Sequence, residues 1–216
     1  MTFKLLLRDS FVWTIVFFVL VVLAVLTQHA LTKAVPYLVR GPVKAAPALF
    51  LAVLSWYLQG PPLLTLGFSL CACGDILLDI AKAASWRAFE LGAGVFAGAL
   101  ICLSVAYLDK PLAGRPLIFL SLPNIVIALF VCLWVLPKIR SSLRAAAVAY
   151  LVILVVSNVI ASTSVVPVFL GSTLWLMSDL SIGLGRNIPG SPANGLTNLG
   201  LYDLGLYFIA VGFLDS

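Results

Sequence analysis

The stretch that decides the fold is residues 11–26, which read FVWTIVFFVLVVLAVL and contain no charged side chain. The first predicted span extends from this run to residue 31, close to the ~20 residues that a helix needs to cross a bilayer. Seven more apolar segments follow, separated by short connections rich in proline, glycine or charge. The predicted spans are residues 11–31, 42–58, 61–81, 88–108, 116–136, 143–161, 165–184 and 196–214.

The composition of the whole chain agrees with that pattern. Of 216 residues, 62% are hydrophobic and 10% are charged, and the mean hydropathy is +1.16, whereas soluble domains have about 25% charged residues. Such a chain can satisfy its backbone polar groups within helices inside a lipid bilayer. We therefore predict an all-α, polytopic transmembrane helical bundle of about eight helices, forming one transmembrane domain over residues 1–216.

The distribution of basic residues predicts an orientation. The net charge of +5 comes from Lys and Arg residues between the apolar runs, so we expect the lipid bilayer and not nucleic acid as the partner of this charge. Nine basic residues lie after spans 1, 3, 5 and 7, and four lie on the opposite side. The positive-inside rule then places the odd-numbered connections in the cytoplasm and both termini outside. For a bacterial protein, this membrane would be the cell inner membrane.

Two segments of the chain are similar to each other. Residues 67–75, GFSLCACGD, align with residues 171–179, GSTLWLMSD, and share a Gly eight residues before the Asp, a Leu five before it and a small residue next to it. Lys44 at the start of span 2 likewise pairs with Arg144 at the start of span 6. Because the members of each pair are offset by four helices, an even number, we predict a parallel four-helix internal repeat. The alternative is chance similarity between apolar segments.

Three carboxylates lie inside predicted spans: Asp75, Asp79 and Asp179. A carboxylate in the hydrocarbon is costly, so each is a candidate functional residue, with a purely structural role as the alternative. Spans 3 and 7 run in the same direction, which predicts similar depths for Asp75 and Asp179, while Lys44 and Arg144 begin helices on that same face. This arrangement predicts a pocket with carboxylates at its floor and cations at its mouth, which suits an anionic amphiphile.

Paired carboxyl groups in a low-dielectric site have a defined chemical use. They can share one proton, so that one acts as an acid and the other as a base, which fits hydrolysis of an ether through an oxocarbenium ion. The same residue types could instead carry protons in a small proton-coupled transporter. The four cysteines have no companions at metal-site spacing, so we expect neither a metal nor a cofactor.

Three motifs together resemble a known family. Residues 43–49, VKAAPAL, residues 74–78, GDILL, and residues 171–179 resemble, in order and spacing, motifs of the YhhN family of lysoplasmalogenases. The resemblance implies an eight-helix membrane enzyme that hydrolyses the vinyl ether bond of lysoplasmalogens without a metal, giving a fatty aldehyde and a glycerophospho-base. It implies catalytic roles for Asp75 and Asp179, in an unassigned order, and phosphate binding by Lys44. We place Arg144 and Asp79 with Lys44 as substrate-binding residues.

The chain departs from the family pattern at two places. Residues 96–100, FAGAL, lack a histidine of the fourth helix, and residues 202–207, YDLGLY, lack a glutamine of the eighth. These departures leave the head group and chain length of the lysophospholipid open, and they add a non-catalytic lipid-binding relative as an alternative. We interpret Asp203 as an interfacial charge and the tryptophans, Trp175 among them, as an aromatic belt. The sequence leaves the oligomeric state undetermined.

Overall fold

The computed structural model describes residues 10–29, 37–84, 86–111, 118–139, 141–187 and 195–214. These residues form eight α-helices: α1 Ser10–His29, α2 Tyr37–Tyr57, α3 Pro62–Ala84, α4 Trp86–Tyr107, α5 Ile118–Val135, α6 Ser141–Ala161, α7 Val166–Asn187 and α8 Gly195–Leu214. A 3₁₀ turn, Leu136–Lys138, follows α5. The helices correspond one to one to the eight predicted spans, and the predicted all-α class is confirmed.

Most of the helices are suited to a lipid environment. Five of them (α1, α3, α4, α5 and α6) contain apolar windows long enough to cross a membrane, and α7 and α8 contain shorter apolar windows, Val166–Ile182 and Asn198–Leu214. Large apolar side chains such as Phe11, Phe119 and Leu133 are exposed on the helix surfaces. Because the backbone polar groups of a helix are satisfied internally, such surfaces can face hydrocarbon. The chain is therefore an integral membrane protein.

The chain packs as two compact units, residues 1–102 with 213–216, and residues 103–212. The first unit contains α1, α2, α3 and most of α4. The second contains α5, α6, α7 and most of α8. The assignment of one transmembrane domain to the chain stays a prediction.

In the first unit, α2 and α3 form an antiparallel hairpin. The N–H of Gly60 donates to the carbonyl of Ser55 at 2.8 Å, and the N–H of Gln59 donates to the carbonyl of Trp56 at 3.1 Å. With Gln59 at φ 60°, these two bonds make a Schellman motif, which ends the helix and reverses the chain. The Thr65 hydroxyl on α3 then donates to Ser55 Oγ across the hairpin at 2.9 Å.

In the second unit, α7 contacts both α6 and α8. The turn between α6 and α7 is fixed by Ser164, whose hydroxyl donates to the carbonyl of Lys110 at 2.7 Å and which forms an isolated bridge with Pro111. Farther along α7, a Cβ added to Gly171 would lie 2.5 Å from the carbonyl oxygen of Gly205. The backbones of α7 and α8 thus approach each other closely enough to require glycine at this crossing.

Candidate active site

The first candidate group is an ion pair inside the α2–α3 hairpin. Lys44 Nζ lies 2.7 Å from Asp75 Oδ1, and the two side chains are 15% and 1% exposed. Pro42 and Pro47 flank Lys44 in α2. Because Pro47 has no N–H, it gives no helical hydrogen bond to the carbonyl of Val43 one turn earlier. The lysine that we predicted as a phosphate ligand therefore contacts a predicted catalytic aspartate.

Asp79 lies one helical turn after Asp75 and is also buried. A Cβ added to Gly41 on α2 would lie 3.6 Å from the Cβ of Asp79 and 3.6 Å from the Cα of Ile76, so the α2 backbone passes directly over this turn of α3. Both carboxylates of α3 consequently face α2, as their four-residue spacing predicts. The structure thus brings Lys44, Asp75 and Asp79 together within one unit.

The second candidate group surrounds Asp179 on α7, in the other unit. Asp179 Oδ2 accepts a 2.6 Å hydrogen bond from the Tyr150 hydroxyl on α6 and a 3.1 Å hydrogen bond from Trp175 Nε1–H. The Trp175 ring in turn packs edge-to-face on Tyr202 of α8, with ring centroids 5.5 Å apart. An indole N–H can only donate, and an O–H···O distance of 2.6 Å is typical of a charged acceptor. Both donors therefore converge on one oxygen of the Asp179 carboxyl group.

The Tyr150 and Trp175 donors to Asp179 are not among the candidate residues that the sequence predicts. We assigned Trp175 to an aromatic belt, and that interpretation is wrong because its side chain is buried. The spacing of four residues between Trp175 and Asp179 was a signal in the sequence, since it places them on one helix face. Tyr150 lies 29 residues before Asp179, and only the packing of α6 on α7 brings the two together.

Arg144 is exposed at the start of α6 and contacts the preceding turn. Its Nε donates to the carbonyl of Ile139 at 3.0 Å, and its Nη2 donates to the carbonyl of Pro137 at 3.1 Å. Its assignment to the substrate head group stays a prediction. We paired Arg144 with Lys44 in the predicted repeat, but Tyr150 is a residue of α6 that contacts the aspartate of α7.

The two hairpins place their aspartates in the same way. Asp75 and Asp179 each follow the first residue of their helix by 13 positions, counted from 62 in α3 and from 166 in α7. Each also contacts a side chain of the preceding helix, Lys44 in α2 and Tyr150 in α6. The local geometry of the α2–α3 and α6–α7 hairpins is therefore similar, while the chemistry of the contact differs.

The second unit holds another buried carboxylate, Asp203 on α8, which is 1% exposed. Asp203 lies in the third turn of the helix, and its burial does not fit the water-exposed interfacial charge that the sequence predicts. It follows Tyr202, the residue whose ring packs on Trp175. Among the described residues, no group of three or more His, Cys, Asp or Glu side chains could hold a metal ion.

A polar network crosses three helices of the second unit. Asn124 Nδ2 on α5 donates to Asn158 Oδ1 on α6 at 3.0 Å and to Thr173 Oγ1 on α7 at 3.1 Å. Asn158 Nδ2 donates to Ser172 Oγ at 3.3 Å and to Thr173 Oγ1 at 3.2 Å. Hydrogen bonds of this kind join helices in a membrane, which is a structural role.

Comparison with known proteins identifies the family of the chain. The sequence model of the YhhN family matches residues 39–213, a range that includes both aspartate-bearing hairpins. No curated protein gives a significant match, and no solved structure does so either. Since the family model covers most of its length, this chain belongs to the YhhN family.

Proposed function

We propose that this protein is a membrane-embedded hydrolase that cleaves the vinyl ether bond of lysoplasmalogen-type lysophospholipids, without a metal or cofactor. The products would be a fatty aldehyde and a glycerophospho-base. The observation that carries the proposal is that two aspartates sit at corresponding positions of two hairpins, one paired with a cation and the other with neutral donors. Membership of the YhhN family supports it.

Hydrolysis of a vinyl ether needs one proton donor and one proton acceptor. Protonation of the β-carbon converts the C=C–O group into an oxocarbenium ion, and water then adds to the carbon next to the oxygen. The resulting hemiacetal separates into an aldehyde and an alcohol. General acid and general base catalysis by two carboxyl groups can supply every proton transfer in this sequence.

The contacts of each aspartate support an assignment of roles. We assign Asp179 as the proton acceptor because Tyr150 and Trp175 both donate to its Oδ2, and the carboxyl group would take the proton from water. We assign Asp75 as the proton donor to the β-carbon. When the hemiacetal separates, Asp179 would return its proton to the glycerol oxygen and Asp75 would accept the hemiacetal O–H proton. Both side chains then regain their starting states.

The cations support an anionic substrate. Lys44 is a compact point charge on a flexible stem, a type of residue that binds phosphate. We assign Arg144 and Asp79 as further substrate-binding residues. The bilayer would deliver the lysophospholipid, and we propose that the site faces the cytoplasm, in the inner membrane if the organism is a bacterium.

The test is aldehyde release from a lysoplasmalogen by the purified protein in detergent. Asp75→Asn and Asp179→Asn should each lower kcat by roughly 100- to 10,000-fold, the range that general acid–base groups contribute. Asp109→Asn, which alters an exposed aspartate on the turn after α4, is the matched control and should leave the rate unchanged. Size-exclusion chromatography would show that all three variants remain folded.

The absence of aldehyde from the wild type, across several head groups, would contradict the proposal. Proton-coupled transport, or lipid binding without catalysis, would then be the favoured function. A flux assay in proteoliposomes with an imposed pH gradient would separate those two, because only a transporter moves solute when protons move.

A further inference from the structure

The Lys44–Asp75 ion pair raises a question about the proposed proton donor. A carboxylate that lies 2.7 Å from an ammonium group is stabilised in its charged form. A charged carboxylate has no proton to give. While Lys44 is paired with it, Asp75 therefore cannot protonate a substrate.

The surroundings of the pair favour a change of state when Lys44 is drawn away. Asp75 is almost fully buried, and Asp79 is buried one turn along the same face of α3. Withdrawing a cation from a buried carboxylate raises the cost of its negative charge, more so beside a second acidic side chain, and uptake of a proton removes that cost. Removing the lysine from Asp75 would therefore favour the protonated form of Asp75.

Lys44 is the kind of residue that an anion could draw away. Its side chain is 15% exposed, so part of it can be reached from outside the hairpin. The lysine ammonium sits at the end of a flexible four-carbon stem, whereas the arginine head group is a rigid planar fork. The phosphodiester of a lysophospholipid carries one negative charge, as a carboxylate does, and its oxygens can compete with Asp75 for the same ammonium.

We propose that the phosphate of the substrate takes Lys44 from Asp75, and that Asp75 then takes up from water the proton that it delivers to the vinyl ether. This inference rests on the proposed function. In the chemical step the Asp75 O–H bond breaks, the C=C π electrons form the new C–H bond at the β-carbon, and the ether oxygen lone pair forms the oxocarbenium ion. Separation of the hemiacetal returns a proton to Asp75, which releases this proton to the solvent and re-pairs with Lys44 when the glycerophospho-base leaves.

The consequence is that Lys44 determines specificity. A lipid with a vinyl ether but no phosphate leaves Lys44 on Asp75, so the acid is never formed. The protein would reject 1-alkenylglycerol even though it contains the bond to be broken and the same chain. Lys44 is thus a positioning residue that makes the reaction depend on an anionic head group.

The experiment compares two substrates of equal chain length, a 1-alkenyl-glycerophosphocholine and the corresponding 1-alkenylglycerol. The wild type should release aldehyde readily from the phospholipid and only slowly from the alkenylglycerol. Lys44→Met should lower kcat/KM for the phospholipid but raise kcat for the alkenylglycerol by roughly 10-fold or more, because general acid catalysis contributes about 10²–10⁴. Lys138→Met, which alters an exposed lysine stacked on Trp134, should change neither rate.

A second measurement needs no variant to fold. Inorganic phosphate added to the wild type should stimulate aldehyde release from 1-alkenylglycerol, since it supplies the missing anion to Lys44. Lack of this stimulation, or equal kcat values for the two substrates in the wild type, would overturn the inference. A proportional loss of both activities in Lys44→Met would also overturn it while leaving the proposed hydrolase in place. No aldehyde from either substrate, with or without phosphate, would overturn both.

Discussion

The hydrogen bond between Tyr150 and Asp179 can be tested by removing a single oxygen atom. Tyr150→Phe keeps the ring and deletes Oη, which lies 2.6 Å from Asp179 Oδ2. Side-chain hydrogen bonds between membrane helices contribute about 0.6 kcal/mol on average, whereas hydrogen bonds to charged groups contribute about 1.5–3 kcal/mol. Because the bond is short and its acceptor is a carboxylate, we expect Tyr150→Phe to lower the free energy of unfolding by about 1.5–3 kcal/mol.

A double-mutant cycle isolates the contribution of this bond. The free energy of unfolding would be measured by circular dichroism as sodium dodecyl sulfate is added to protein in dodecyl maltoside, for the wild type, Tyr150→Phe, Asp179→Ala and the double variant. Tyr150→Phe should change stability little once the acceptor is gone, so the interaction free energy should be at least about 1.5 kcal/mol. An interaction near 0.6 kcal/mol or below, the value of an ordinary interhelical bond, would refute the reasoning. Asp179 would then lack the charge that its assignment as the base requires.

Two further predictions concern α7. Trp175→Phe keeps an aromatic ring but removes the indole N–H, whose nitrogen lies 3.1 Å from Asp179 Oδ2, so kcat for aldehyde release should fall about 10-fold with little change in KM, the effect of losing ~1.4 kcal/mol. The control Trp56→Phe, at an exposed position, should change neither kcat nor KM. An unaltered kcat in Trp175→Phe would show that the indole donor is not needed. Gly171→Ala puts a methyl carbon 2.5 Å from a backbone carbonyl oxygen of α8 and should lower the free energy of unfolding by about 1–3 kcal/mol. Gly94→Ala meets nothing within 4 Å and should be neutral or stabilising by up to about 1 kcal/mol, so equal melting temperatures for the two variants would contradict the close packing of α7 and α8.

The fold was predictable because the signal for a membrane helix is local. A run of about 20 apolar residues specifies a spanning helix whatever its neighbours are, and all eight predicted spans contain a helix. The boundary of α2 was harder to predict. We began this span at Pro42, but the helix begins at Tyr37, because a proline in the second turn removes only the hydrogen bond to the carbonyl of residue 38 and need not end the helix.

The candidate residues were predictable only where one helix carries the signal. Asp75 and Asp179 stand out because a carboxylate in an apolar run is costly, and no knowledge of their surroundings is needed to find them. The side chains that contact these aspartates could not be predicted in this way, because helix rotation and packing decide which residue of another helix makes the contact. For that reason the sequence favoured Arg144 as the counterpart of Lys44, while packing puts Tyr150 against Asp179.

The difference between those two partners bears on the choice between hydrolysis and transport. Two hairpins with identical partners would give two aspartates of equal basicity, and a pair of equal groups has no fixed donor or acceptor. Lys44 gives Asp75 a cation for which an anionic substrate can compete, whereas Tyr150 and Trp175 contact Asp179 as neutral donors. A proton carrier must instead pick up and release its proton at both faces of the membrane. Asp75 has a cationic partner that can be exchanged, and Asp179 has two neutral donors. Two aspartates with such different partners suit two different proton transfers of one reaction better than the single repeated proton transfer of a transporter.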